Sequence, residues 1–151
     1  GAPRNLHSFP TLRLFSPVDT PLTDKDARLA LCALLVRVAR SDHNYSDVEK
    51  DRIDRISQSR YGLDMGGAII LREEAEAMEA EAPDTVRFTR AIKDAVRYED
   101  RIGVIEALWQ VVLADGKRDA SEDSLLRLSA SLLGVNDRDS ALARQRAEAA
   151  L

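Results

Sequence analysis

The feature that most constrains this chain is that it resembles itself. A shift of 73 residues lays Leu35 on Leu108, Val38 on Val111, Asp42 on Asp115, Glu49 on Glu122 and Ile53 on Leu126. Ser46 falls on Asp119, so a helix-capping residue is kept in kind. One deletion later, Gly62-Leu63-Asp64 meets Gly134-Val135-Asn136. Core positions, turn, cap and stop all correspond, which marks a duplicated supersecondary unit. Each unit reads as a helical hairpin with an apolar stripe, and neither can bury that stripe alone.

The apolar spacing within each unit is helical. Leu31, Leu34, Leu35 and Val38 recur at i, i+3, i+4 and i+7, with Cys32, Val36 and Ala39 on another face. A helix apolar most of the way round belongs at the centre of a bundle. Thr23 is its expected N-cap, with Asp24 and Asp26 in the first turn. The second such helix runs from near Glu99 to Ala114, with Ile102, Ile105, Leu108, Trp109 and Val112 as its stripe and Val104 and Val111 beside it. Between and after them the pattern predicts a helix begun by Ser46 with Val48, Ile53 and Ile56 inward, and one over 65–82 with Ile69, Ile70 and Met78 inward. A helix opened by Pro83-Asp84 carries Phe88, Ile92 and Val96, and one capped by Asp119 carries Leu125, Leu128 and Leu132. An Ala-rich last helix over 138–150 is expected to fray. The 65–82 helix is expected to expose an acidic face of Glu73, Glu74, Glu76, Glu79 and Glu81. The predicted fold is therefore all-α: about seven helices, two related helix-turn-helix units around a central helix pair. Residues 1–22 hold four of the five prolines and read as an extended arm, leaving 23–151 as one helical domain.

Composition narrows the function classes. With 32% charged and 44% hydrophobic residues the chain can bury a core. A net charge of −4, with no basic run or aromatic platform, disfavours nucleic acid as a partner. One cysteine, Cys32, precludes an intrachain disulfide and fits a cytoplasmic setting. No apolar run is long enough for direct membrane insertion, and no signal peptide is expected. The chain opens on Gly1 rather than Met, which suggests a trimmed tag or a fragment, so a native N-terminal segment can be missing. No phosphate loop, Ser-His-Asp set or zinc spacing occurs, so the chain is expected not to be an enzyme.

The chemistry that remains lies in the two turns, which share the pattern Asp-x-x-x-(Ser/Asp)-x-x-Glu: Asp42, Ser46, Glu49 and Asp115, Asp119, Glu122. Ser46 with Glu49, and Asp119 with Glu122, have the spacing of capping boxes. Asp42 and Asp115 are different, because each closes a helix at its negative end, where a carboxylate is unfavourable by about 0.3–1 kcal/mol. Either acid could accept amides of its own turn, face the next helix N-terminus, or hold a cation. An EF-hand is rejected: Asp42 and Asn44 fit positions 1 and 3, but the glycine of position 6 is missing. Position 12 would be Ile53 or Leu126, where a bidentate Glu is needed. A site shared between the turns, with Asp42, Glu49, Asp115, Asp119 and Glu122 as oxygen donors, would suit a hard divalent cation, Ca²⁺ or Mg²⁺. His43 is expected to be a solvated turn residue, and Cys32 an inert core thiol.

The segment Glu106 to Val135, EALWQVVLADGKRDASEDSLLRLSASLLGV, and more weakly Leu34 to Ile56, resembles the TerB-like tellurite-resistance family. The carrying motif is an apolar helix ending in Ala-Asp-Gly, a capped helix with Glu, and Leu-Leu-Gly-Val. The resemblance covers about residues 25–150. It implies an all-α fold with an internal duplication, an acidic surface that binds divalent metal, and a link to tellurite or stress response. It also implies an interaction module, since such domains occur fused to J-domain co-chaperones. In the first turn Ser41-Asp42-His43-Asn44 stands where Ala-Asp-Gly is expected: the Asp is kept and the Gly lost. The expectation is a non-enzymatic module with a protein partner, and the alternative is a scaffold that works without metal.

Overall fold

The computed structural model describes residues 24–41, 43–82, 84–114 and 120–150. Among them seven helices follow one another: α1 (Asp24–Arg40), α2 (Asp47–Tyr61), α3 (Met65–Glu81), α4 (Val86–Ala95), α5 (Tyr98–Val112), α6 (Ala120–Leu132) and α7 (Asp137–Ala149). The expected arm, residues 1–22, and the Thr23 cap lie outside the described residues.

The two helices apolar all round are the two at the centre. Every residue from Leu29 to Val36 is buried, because α1 is enclosed by α2, α3, α4, α5 and α6. In the same way α5 is enclosed by α1, α2, α4, α6 and α7, and buries Val104, Ile105, Leu108, Val111 and Val112. The duplication is visible in the packing. α3 lies most extensively on α1, and α7 on α5, while α2 also touches α5 and α6 touches α1. Leu71 and Ala75 of α3 and their counterparts Ala143 and Ala147 of α7, each 72 residues on, are buried in equivalent places. α4 has no counterpart. It joins the units, with Phe88, Thr89, Ala91 and Ile92 turned onto the core.

The stops are built as their sequences require. Gly62 takes φ +66° and donates its N–H to Gln58 O, and Gly134 takes φ +73°. After Gly134, Val135 N–H donates to Ala130 O at 3.0 Å and its side chain is buried, closing α6 as a left-handed helix stop with its apolar contact. Each stop is followed by a new cap: Asp64 Oδ1 accepts from Gly67 N–H at 2.7 Å, and Asn136 Oδ1 from Asp139 N–H at 2.8 Å.

Three stripes sit differently from expectation. Val48 is 51% exposed, Ile70 60% and Leu128 50%. On α2 the inward position beside Val48 is taken by Glu49, in line with Ile53 and Ile56. On α3 the inner stripe is Ala68, Leu71, Ala75 and Met78. On α6 it is Leu126, Ser129 and Ala130, continued by Leu133 just past the helix, one residue round from Leu125, Leu128 and Leu132. Small residues let a helix approach the core closely and leave larger neighbours at the rim. The acidic face of α3 is also narrower than expected. Glu73, Glu74 and Glu81 are exposed, but Glu76 and Glu79 are engaged by arginines.

Candidate functional site

Glu49 and Glu122 are the two predicted site residues within the described chain, and both point inward. Glu49 is completely buried and Glu122 is 2% exposed. Local geometry turns Glu49 in. Ser46 caps α2 and its Oγ accepts from Glu49 N–H at 3.2 Å; in return Glu49 Oε1 accepts from Ser46 N–H at 3.0 Å. The Ser46 hydroxyl lies 3.2 Å from the same oxygen. This capping box holds a carboxylate at the positive end of a helix. Glu122 occupies the matching first turn of α6. Asp42, Asp115 and Asp119 lie outside the described residues, as does the second box's cap.

The backbone around Asp42 is informative. Ser41 Oγ donates to Val38 O at 2.7 Å and His43 N–H to Arg40 O at 2.9 Å. His43 is exposed, with φ +64°. It is the sole non-glycine with positive φ among the described residues. Gly116 stands 73 residues on in the sequence, whereas the first turn has a left-handed backbone at a residue that is not glycine.

Two further assemblies leave no mark in the hydropathy pattern. The first ties α3 down. Arg72 Nε donates to Asp54 Oδ1 at 2.7 Å and Nη1 to Glu76 Oε2 at 2.9 Å, and Tyr45 donates its hydroxyl to Glu76 Oε2 at 2.6 Å. Burial raises the Tyr45 pKa, and its bond to the Glu76 carboxylate raises it further. The far end of α3 is held by α1. Arg37 donates to Glu79 Oε2 at 3.0 Å and to the carbonyls of Glu79 and Ala82, and Arg40 to Glu79 Oε1 at 2.6 Å. The second assembly is a groove of about 530 Å³ between α6 and α7, floored by Trp109.

Among the described residues no group of three or more His, Cys, Asp or Glu side chains is arranged to hold a metal. Glu49 and Glu122 are hard oxygen donors of the type Ca²⁺ and Mg²⁺ prefer. Ca²⁺ takes about six to eight oxygens, so Asp42, Asp115 and Asp119 would have to supply much of a shell. Cys32 is buried, and that burial pushes its thiol up to about 12, despite a hydrogen bond with Ser57 that acts the other way. It is not a nucleophile at neutral pH.

The pattern that recurs in both halves is what a family model can detect, and the model for tellurite resistance protein TerB matches residues 28–145. The chain belongs to the TerB family. The match runs from the second turn of α1 into α7 and so takes in both units and both turns. No curated protein matches the chain, and no solved structure does. The TerB assignment makes this a tellurite-resistance-associated helical module. Among the described residues no TerB helix is long and apolar enough to cross a membrane.

Proposed function

We propose that this TerB chain acts by binding rather than by catalysis, as a cytoplasmic module of a tellurite or stress response. In this reading a divalent cation, Ca²⁺ or Mg²⁺, is held between the two turns by Asp42, Glu49, Asp115, Asp119 and Glu122. The observation that supports it is the pair Glu49 and Glu122: related by the duplication, each opening a helix, each with its carboxylate drawn into the protein. Both are hard oxygen donors at equivalent places in the duplication, of the type that Ca²⁺ and Mg²⁺ prefer. In the same reading a protein is the partner, met by the helical domain, 23–151, or by residues 1–22.

Calorimetric titration with Ca²⁺, Mg²⁺ and Mn²⁺ tests the cation. Heat of binding and a raised melting temperature are expected, and both should be lost in Glu49→Gln and in Glu122→Gln if the turns share one site. No heat and no thermal shift with any of the three ions would end the cation reading.

A metal-independent scaffold is the second reading. It is favoured by the capping box, which already gives Glu49 Oε1 a structural use. Pull-down with and without residues 1–22 tests the arm's part in it: an unchanged set of partners removes the arm from the interaction surface.

A further inference from the structure

The two units differ in how their second and third helices meet, and that difference has a simple electrostatic form. In the first unit α2 and α3 pack together, tied by Asp54 and Arg72 at 2.7 Å. The duplication lays Asp54 on Arg127 and, after the deletion, Arg72 on Arg144. A carboxylate and a guanidinium have become two guanidiniums. Like charges cannot form the bond that draws α2 and α3 together. The counterparts α6 and α7 are correspondingly splayed, and the groove lies between them.

The groove is lined by Arg127 on its α6 side and Arg144 on its α7 side. Trp109, Leu126, Ala130 and Val135 make it apolar within. Trp109 replaces Val36 of the first unit. The Arg144 guanidinium lies 4.8 Å from the centre of the Trp109 ring and makes a 3.4 Å contact with Glu148 that is partly open to water. Asp137 lies at the α7 end of the groove. Thus an exposed local carboxylate occupies one arginine, and among the described residues that line the groove none is a buried carboxylate comparable to Asp54.

We propose that this groove is a docking site for an acidic segment of a partner protein. A Glu or Asp side chain of the partner enters between Arg127 and Arg144, where the first unit has Asp54, and a neighbouring apolar side chain of the partner lies on Trp109. Guanidinium groups suit carboxylates because they present paired donors. A buried aromatic floor flanked by arginine is the composition that dominates binding energy at protein interfaces. The space is within the range of about 300–1,000 Å³ that ligand sites occupy, and an open groove between two helices accepts a peptide lengthwise. The inference is independent of any cation at the turns.

Trp109 is the single tryptophan of the chain, so its emission reports on the groove directly. The probe is a panel of helical peptides of about 15 residues carrying Leu and Glu at i, i+3 and i, i+4 spacings, with a matched panel in which Gln replaces Glu. Glu peptides are expected to shift Trp109 emission and to bind about tenfold more tightly than Gln peptides; that margin should vanish in R127Q/R144Q. R127D should restore the tie seen at Asp54 and Arg72, raise the melting temperature by about 2–4 °C and abolish binding. The proposal is overturned if no Glu peptide binds at ~1 mM, if Gln peptides bind equally well, or if R127Q/R144Q binds as the wild type does. Free glutamate or inorganic phosphate binding as tightly as the peptides would also overturn it, showing a small-anion pocket instead.

Discussion

Arg72 of α3 and Asp54 of α2 form a 2.7 Å ion pair in which the side chains are 14% and 7% exposed. Removing one member of such a pair strands the other in a dry place, whereas removing both does not. Arg72→Ala is therefore expected to cost about 3–5 kcal/mol. The double change Asp54→Leu with Arg72→Met should cost less than the single one. Urea denaturation followed by circular dichroism measures both, and a double variant weaker than Arg72→Ala would contradict the argument.

Glu76 makes the acid stability of the same corner predictable. Burial acts to raise its pKa, but the hydrogen bonds from Tyr45 and Arg72 outweigh burial, and the net shift is below the ordinary 4.5. A carboxyl depressed in the folded state contributes stability that is present above 4.5 and is lost as pH falls through the folded value. Urea midpoints measured from neutral pH downward should fall in that window, and Glu76→Gln should flatten the fall. An equally steep acid limb in the variant would assign the loss to other groups.

His43 holds a left-handed backbone that costs a non-glycine residue about 1–2 kcal/mol, against about 0.5–1 kcal/mol of extra unfolded-state entropy for glycine. His43→Gly is expected to raise stability by about 0.5–1 kcal/mol. A loss of stability in the same denaturation assay would mean that the imidazole contributes more than the strain removes.

Cys32 should be silent to thiol reagents. Its burial and raised pKa leave almost no accessible thiolate at neutral pH. Labelling with a chromogenic disulfide is expected to proceed only at the rate of opening, and to match full labelling once the chain is unfolded. Immediate reaction in the native protein would show that α1 is more accessible than its packing implies.

The sequence was most legible where several signals coincided. The two central helices are apolar on most sides, and Gly62 and Gly134 each stand two residues before a cap with one apolar residue between, so no other register competes. The outer helices are harder. On α6, Leu125, Leu126, Leu128, Leu132 and Leu133 allow two stripes of the same period one residue apart, and period alone does not choose between them. Alignment of Leu126 on Ile53 does choose, and agrees with the structure. The inward turn of Glu49 displaces Val48, and capping makes that turn possible; a hydropathy pattern treats the same Glu as an outward residue. The groove was invisible because its cause is a comparison between Asp54 and Arg127, two surface-type residues that hydropathy does not distinguish.

The arginines of α1 have one more consequence. Arg37 and Arg40 hold the terminal carbonyls of α3, but the residues 73 further on are Gln110 and Leu113. Neither of these can give the end of α7 the cationic clasp by which Arg37 and Arg40 secure the end of α3. The two third helices, alike in core, should open by different routes. Amide hydrogens near residue 149 should exchange with solvent by melting inward, turn by turn, as far as the buried Ala147 and Ala143. Those near residue 81 should exchange only when a larger part of the bundle loosens at once.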